Sequence, residues 1–145
     1  MVFPAAFDVS SLNGQNGFAV NTVSIGACGV GDVNSDGIDD FGISYSGGAY
    51  IIYGSAAPWP ATLDVSTLNG NNGFSIYNLQ GASISSAGDI NADGIADFMV
   101  GDNTQNSVFV VFGSKAMFPK QFNILTLDGN NGFTIKGISG EGVGS

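Results

Sequence analysis

The chain has 145 residues, 3 Lys+Arg against 12 Asp+Glu, a net charge of −9, one cysteine and no histidine. This excludes a reader of nucleic-acid backbones, which needs clustered Lys and Arg. It also excludes an intrachain disulfide, and it removes the commonest general base and transition-metal ligand. Only 10% of residues are charged and 23 are glycine, against about 25% and ~7% in ordinary domains, so many tight turns between short strands are expected.

Met1-Val2-Phe3-Pro4 has no basic start and no long apolar core, unlike a secretion signal. No apolar run approaches the ~20 residues of a membrane span, so no membrane insertion is expected. Leu12-Asn13-Gly14-Gln15-Asn16-Gly17-Phe18 is turn chemistry leading into a strand at Phe18-Ala19-Val20. Cys28 reads as a small buried strand residue. Asp32 to Asp40 forms an acidic loop, followed by strands at Phe41-Gly42-Ile43-Ser44 and Ala49-Tyr50-Ile51-Ile52-Tyr53. The order then recurs: a strand at Phe74-Ser75-Ile76-Tyr77, a loop from Asp89 to Asp97, and strands at Phe98-Met99-Val100 and Ser107 to Phe112. A last strand is expected at Phe133-Thr134-Ile135-Lys136. No stretch of ten residues shows helical periodicity.

Self-comparison shows an array. Leu12 to Phe18 returns as Leu68-Asn69-Gly70-Asn71-Asn72-Gly73-Phe74 and as Leu127-Asp128-Gly129-Asn130-Asn131-Gly132-Phe133, at intervals of 56 and 59 residues. Gly31-Asp32-Val33-Asn34-Ser35-Asp36-Gly37-Ile38-Asp39-Asp40-Phe41 returns as Gly88-Asp89-Ile90-Asn91-Ala92-Asp93-Gly94-Ile95-Ala96-Asp97-Phe98 after 57 residues. About four short strands per repeat predict an all-β fold of β-propeller blades, each a four-stranded antiparallel sheet. The division expected is an outer strand segment over 1–23, blade repeats over 24–80 and 81–137, and the start of a truncated third repeat over 138–145. The last copy stops at Ser145, one residue before the position of Val30 or Ala87, as in a break in a longer array. Two blade cores plus one extra outer strand cannot close a ring, which needs at least ~4 blades. Self-association or further blades from a parent protein are therefore expected.

Seven of the twelve acids lie in the two loops. Like charges so close repel unless a cation sits among them. Alternate side chains of a coiling loop turn inward, so Asp32, Asn34 and Asp36 supply three oxygens. Gly37 turns the chain, the Ile38 carbonyl follows, and Asp40 returns a carboxylate. Asp89, Asn91, Asp93, the Ile95 carbonyl and Asp97 repeat the set. An all-oxygen donor set selects Ca²⁺ ahead of Mg²⁺, zinc or copper, so two Ca²⁺ per chain are expected. An EF-hand would need Glu at its twelfth position and flanking helices. Ile43 and Val100 stand there, within strands. One such loop leaves some room for an ordinary Asp/Asn/Gly turn, and two with every ligand kept leave very little.

These motifs, with a following strand that ends in Tyr53-Gly54 or Phe112-Gly113, resemble the FG-GAP repeat. That repeat builds the β-propellers of integrin α-subunits and many bacterial surface or secreted proteins. The resemblance implies a seven-bladed ring with calcium loops joining the first two strands of a blade, and the same ten residues as ligands. The chain departs from the family at its Gly-Ala-Pro element, where Ser44-Tyr45-Ser46 and Gly101-Asp102-Asn103 stand.

The functional expectation is a calcium-stiffened interaction or adhesion module, extracellular or on a cell surface, with a protein or glycan partner. A second reading is a purely structural fragment, excised or designed, that self-assembles and binds calcium alone. An enzyme is not expected, because the clustered acids are assigned to metal and no paired carboxylates in unlike environments remain. Trp59-Pro60, Phe118-Pro119 and Phe3-Pro4 recur and read as packing anchors rather than ligand platforms. Tyr45, Tyr50, Tyr53 and Tyr77 read as core or blade-edge residues.

Overall fold

A computed structural model describes residues 4–138. The Phe3-Pro4 pair therefore lies partly, and the start of a third repeat almost wholly, outside the described residues. The fold is all-β, and the only helices among the described residues are three-residue 3₁₀ turns.

The chain divides into two compact units. The smaller joins the N-terminal segment, as far as Thr22, to Ser55–Thr67. Its strands β1 (Ala19–Asn21) and β5 (Thr62–Asp64) pair in parallel. Trp59 stacks on Phe18 with ring centroids 4.4 Å apart, which makes it the packing anchor expected.

The larger unit holds two sheets. The first has the order β10-β6-β4-β3-β2, built from β2 (Gly26–Gly31), β3 (Asp40–Tyr45), β4 (Gly48–Ile52), β6 (Gly73–Tyr77) and β10 (Gln121–Asn123). The second has the order β11-β9-β8-β7, from β7 (Ala82–Gly88), β8 (Asp97–Asp102), β9 (Ser107–Val111) and β11 (Gly132–Lys136). The second is the four-stranded antiparallel sheet expected. The first carries a fifth strand, because β10 of the second repeat adds in parallel to β6.

The core lies between these sheets. Ala49, Ile51, Phe74 and Ile76 of the first face Phe98, Val100, Phe109 and Val111 of the second in one cluster. Phe74 is fully buried and stacks on Phe118 at 4.5 Å; full burial of such a side chain contributes roughly 1.5–3 kcal/mol. The sheets approach closely at Gly42, where a Cβ would stand 2.4 Å from Ile84 Cδ1. Cys28 is half-buried beside this contact, with its Sγ 3.3 Å from the Ile84 carbonyl oxygen.

Each acidic loop begins where a strand is broken on purpose. The β2–β3 register shifts between Gly29 and Gly31, and the β7–β8 register shifts between Ser86 and Gly88. Gly31 and Gly88 adopt φ 77° and 69°, a left-handed setting that turns the chain out of the ladder.

The Asn-Gly segments are braced by their own side chains. Asn13 N–H donates to Asn16 Oδ1 at 2.9 Å, while Asn13 Oδ1 accepts from Gln15 N–H at 3.0 Å. Asn69 with Asn72, and Asp128 with Asn131, repeat the brace.

Candidate metal site in the aspartate loops

The loops Asp32–Asp40 and Asp89–Asp97 join β2 to β3 and β7 to β8. In the first, Asp36 N–H donates to Asp32 Oδ1 at 3.0 Å and to Asn34 Oδ1 at 3.2 Å. Gly37 N–H donates to Asp32 Oδ2 at 2.8 Å, and Ile38 N–H to Asp36 Oδ1 at 2.8 Å. The second loop repeats all four bonds at the same lengths through Asp89, Asn91 and Asp93. Gly37 and Gly94 take φ 89° and 86°, and Ser35 and Ala92 both take φ 60°.

The last carboxylate of each loop is buried. Asp40 accepts Val33 N–H on Oδ2 at 2.9 Å and Gly54 N–H on Oδ1 at 2.7 Å. Asp97 is fully buried and accepts Ile90 and Gly113 N–H, both at 2.8 Å. These carboxylates therefore also fasten the loop to the chain that follows β4 or β9. Burial raises the pKa of Asp40 to about 6 against the pull of those two hydrogen bonds, and the charges of Asp36 and Asp32 push it the same way as burial. Tyr53 is buried nearby, and its phenol is raised by burial and then by Asp40 and Asp36.

The structure thus gathers Asp32, Asn34 and Asp36 in one turn, with Ile38 half-buried behind them and Asp40 inside. Asp89, Asn91 and Asp93 are exposed, while Ile95 and Asp97 are buried. Among the described residues, no group of three or more His, Cys, Asp or Glu side chains lies close enough to hold a metal ion. The donor chemistry nevertheless fits a hard cation. Each carboxylate oxygen of Asp32, Asp36, Asp40, Asp89, Asp93 and Asp97 accepts one N–H, and a carboxylate oxygen has a second lone pair to give. Asn34 Nδ2 donates to Asp36 Oδ2 at 2.9 Å, and Asn91 does the same to Asp93.

The backbone donors of Val33, Gly54, Ile90 and Gly113 were not legible as part of the site. The only sequence signal for Gly54 and Gly113 is their recurrence in Tyr53-Gly54-Ser55 and Phe112-Gly113-Ser114. A Cβ at Gly54 would meet the Asp39 carbonyl at 2.4 Å, and one at Gly113 the Ala96 carbonyl at 2.1 Å. Glycine is required there because the chain passes directly against the loop.

Compared with protein-family models, with curated proteins and with solved structures, the chain matches none. No helix among the described residues is long and apolar enough to cross a membrane.

Proposed function

We propose that the chain is a calcium-binding module of the FG-GAP kind, its two larger sheets blades of a β-propeller, serving an extracellular or cell-surface interaction protein. Calcium in this reading is structural. The observation that carries it is the sameness of the two loops. Seven hydrogen bonds to carboxylate or amide oxygens recur from one loop to the other and agree to 0.1 Å. A merely turn-forming segment needs only one or two of them.

Two Ca²⁺ on the Asp32 and Asp89 loops offset the repulsion among carboxylates that the loops hold together. Their ligands are Asp32, Asn34, Asp36, the Ile38 carbonyl and Asp40, then Asp89, Asn91, Asp93, the Ile95 carbonyl and Asp97. The blade reading draws support from the packing: two like sheets lie face to face, and β10 of one repeat ties onto β6 of the other. Titration calorimetry should give two Ca²⁺ per chain, with affinities around 10⁻⁴–10⁻³ M as in extracellular modules. Asp36→Ala with Asp93→Ala should abolish both. Binding that survives the double substitution overturns the assignment.

A further inference from the structure

Three copies of one segment occur in the chain, and the same joint is made twice between successive copies. In the first joint β5 runs parallel to β1, with Leu63 opposite Val20, Ala19 N–H bonded to the Ala61 carbonyl at 2.9 Å, and Trp59 stacked on Phe18. In the second, β10 runs parallel to β6, with Phe122 opposite Ile76, Ser75 N–H bonded to the Lys120 carbonyl at 3.0 Å, and Phe118 stacked on Phe74. In each case the strand after an aromatic-Pro pair covers the outer edge of the preceding copy.

Among the described residues, one acceptor and one donor are left over. The acceptor is β11, where Phe133 and Ile135 are 38% and 46% exposed although their counterparts Phe74 and Ile76 are fully buried. A Cβ at Gly14 or Gly70 would strike the carbonyl of Trp59 or Phe118, while one at Gly129 meets nothing within 4 Å. The donor is Ala6-Phe7-Asp8, which matches Thr62-Leu63-Asp64 and Gln121-Phe122-Asn123. Phe7 is 46% exposed, against 9% for Leu63 and 7% for Phe122.

We propose that this donor of one copy adds to β11 of a second copy in the repeated register: Ala6 opposite Thr134, Phe7 opposite Ile135, Asp8 opposite Lys136. The donor already has the right shape. Asp8 holds φ −83° and ψ 110°, and the joined Asn123 holds φ −80° and ψ 110°. Both cap the following 3₁₀ turn with the side chain, so joining costs no cap. Charge favours this occupant as well, because the register sets Asp8 against Lys136, one of only three basic residues. Main-chain bonds to an open edge supply the attraction, and the seating of Phe7 against Phe133 and Ile135 supplies the register. The contact is head-to-tail, so it builds closed rings or open chains. It uses no loop carboxylate, so it and the calcium reading fail separately.

The test uses the full chain with Cys28→Ala as background. Ala6→Cys with Thr134→Cys should form intermolecular disulfide dimers and longer ladders on oxidation, while Ala6→Cys with Ile135→Cys, one residue out of register, should not. In sedimentation, the mass of the unmodified chain should rise with concentration. Phe7→Asp should move that rise to at least ~tenfold higher concentration, as for loss of a buried aromatic anchor, with the far-ultraviolet spectrum and melting curve unchanged. A species of 14.7 kDa at every concentration, disulfides that close within one chain, or equal cross-linking by the shifted pair would each overturn the proposal.

Discussion

The backbone N–H of Ala96, in the second aspartate loop, donates to the carbonyl of Asp32, in the first, at 3.2 Å. Ser114 N–H adds a bond to the Val33 carbonyl at 2.9 Å. The first loop is therefore braced by the repeat that follows it. The second loop has no such neighbour among the described residues, and Asp89 to Gly94 are all exposed. A braced loop pays less ordering entropy on binding. Under the proposed calcium reading the two loops should differ in affinity, with the first tighter. Calorimetry on the single variants reads this directly: Asp93→Ala, which leaves the first loop, should bind Ca²⁺ several-fold more tightly than Asp36→Ala. Equal affinities would show that the brace does not reach the ligands.

Calcium should stabilise the fold as a whole. Two bound ions take the formal charge from −9 to −5, and a ligand held only by the folded state adds roughly 2.7 kcal/mol per site at one hundred times its Kd. Melting temperature should rise with millimolar Ca²⁺ and fall in EGTA. A curve indifferent to chelator would make the loops ordinary turns.

The turn at Gly94 offers a test free of ligand chemistry. Its φ is 86°, and a Cβ there would touch nothing within 4 Å. The cost of Gly94→Ala is then conformational alone, on the order of 1–2 kcal/mol. Urea denaturation in EGTA should show that loss with an unchanged m-value. A loss well beyond it would mean that the loop backbone is held by something other than its dihedral angles.

Sequence gave a clear view of the strands rich in β-branched and aromatic residues and a poor one of the rest. β4 and β9 are buried almost throughout, and their unbroken apolar runs stood out. β2 (Gly-Ala-Cys-Gly-Val-Gly) and β7 (Ala-Ser-Ile-Ser-Ser-Ala-Gly) have little intrinsic preference for strand. They are strands because β3 and β8 pair with them. β5 and β10 are three residues long and exist only through parallel pairing with the preceding copy, which no local pattern encodes. At the loops, spacing pointed to Asp40 and Asp97 as inward carboxylates. It did not reveal that each would serve two buried amides, since the second amide lies 14 or 16 residues further on.

Asp102 shows what stands at the departure from the Gly-Ala-Pro element. It ends β8, is fully buried, and accepts Thr104 N–H at 2.9 Å and Thr104 Oγ1 at 2.7 Å. It also accepts Gln105 N–H at 3.0 Å, Gln105 Nε2 at 2.7 Å and Gln80 N–H at 3.0 Å. One carboxylate thus folds its own hairpin and fastens the turn before β7. Burial pushes its pKa up, but the hydrogen bonds from Thr104, Gln80 and Gln105 outweigh burial and hold it below the usual 3.8. A carboxyl lowered by folding contributes stability above the unfolded pKa and loses it as pH falls through the folded one. Asp102→Asn keeps the shape but presents an NH₂ where an oxygen took two donors. At pH 7 it should destabilise by about 1–3 kcal/mol, the cost of leaving buried donors unmet. Its deficit against the unmodified chain should shrink as pH falls below about 4, where Asp102 takes up its proton in the unfolded chain. Urea denaturation of both proteins at pH 7 and pH 3 makes the comparison. A deficit that is the same at both values would mean that the carboxylate's charge contributes nothing to the turn.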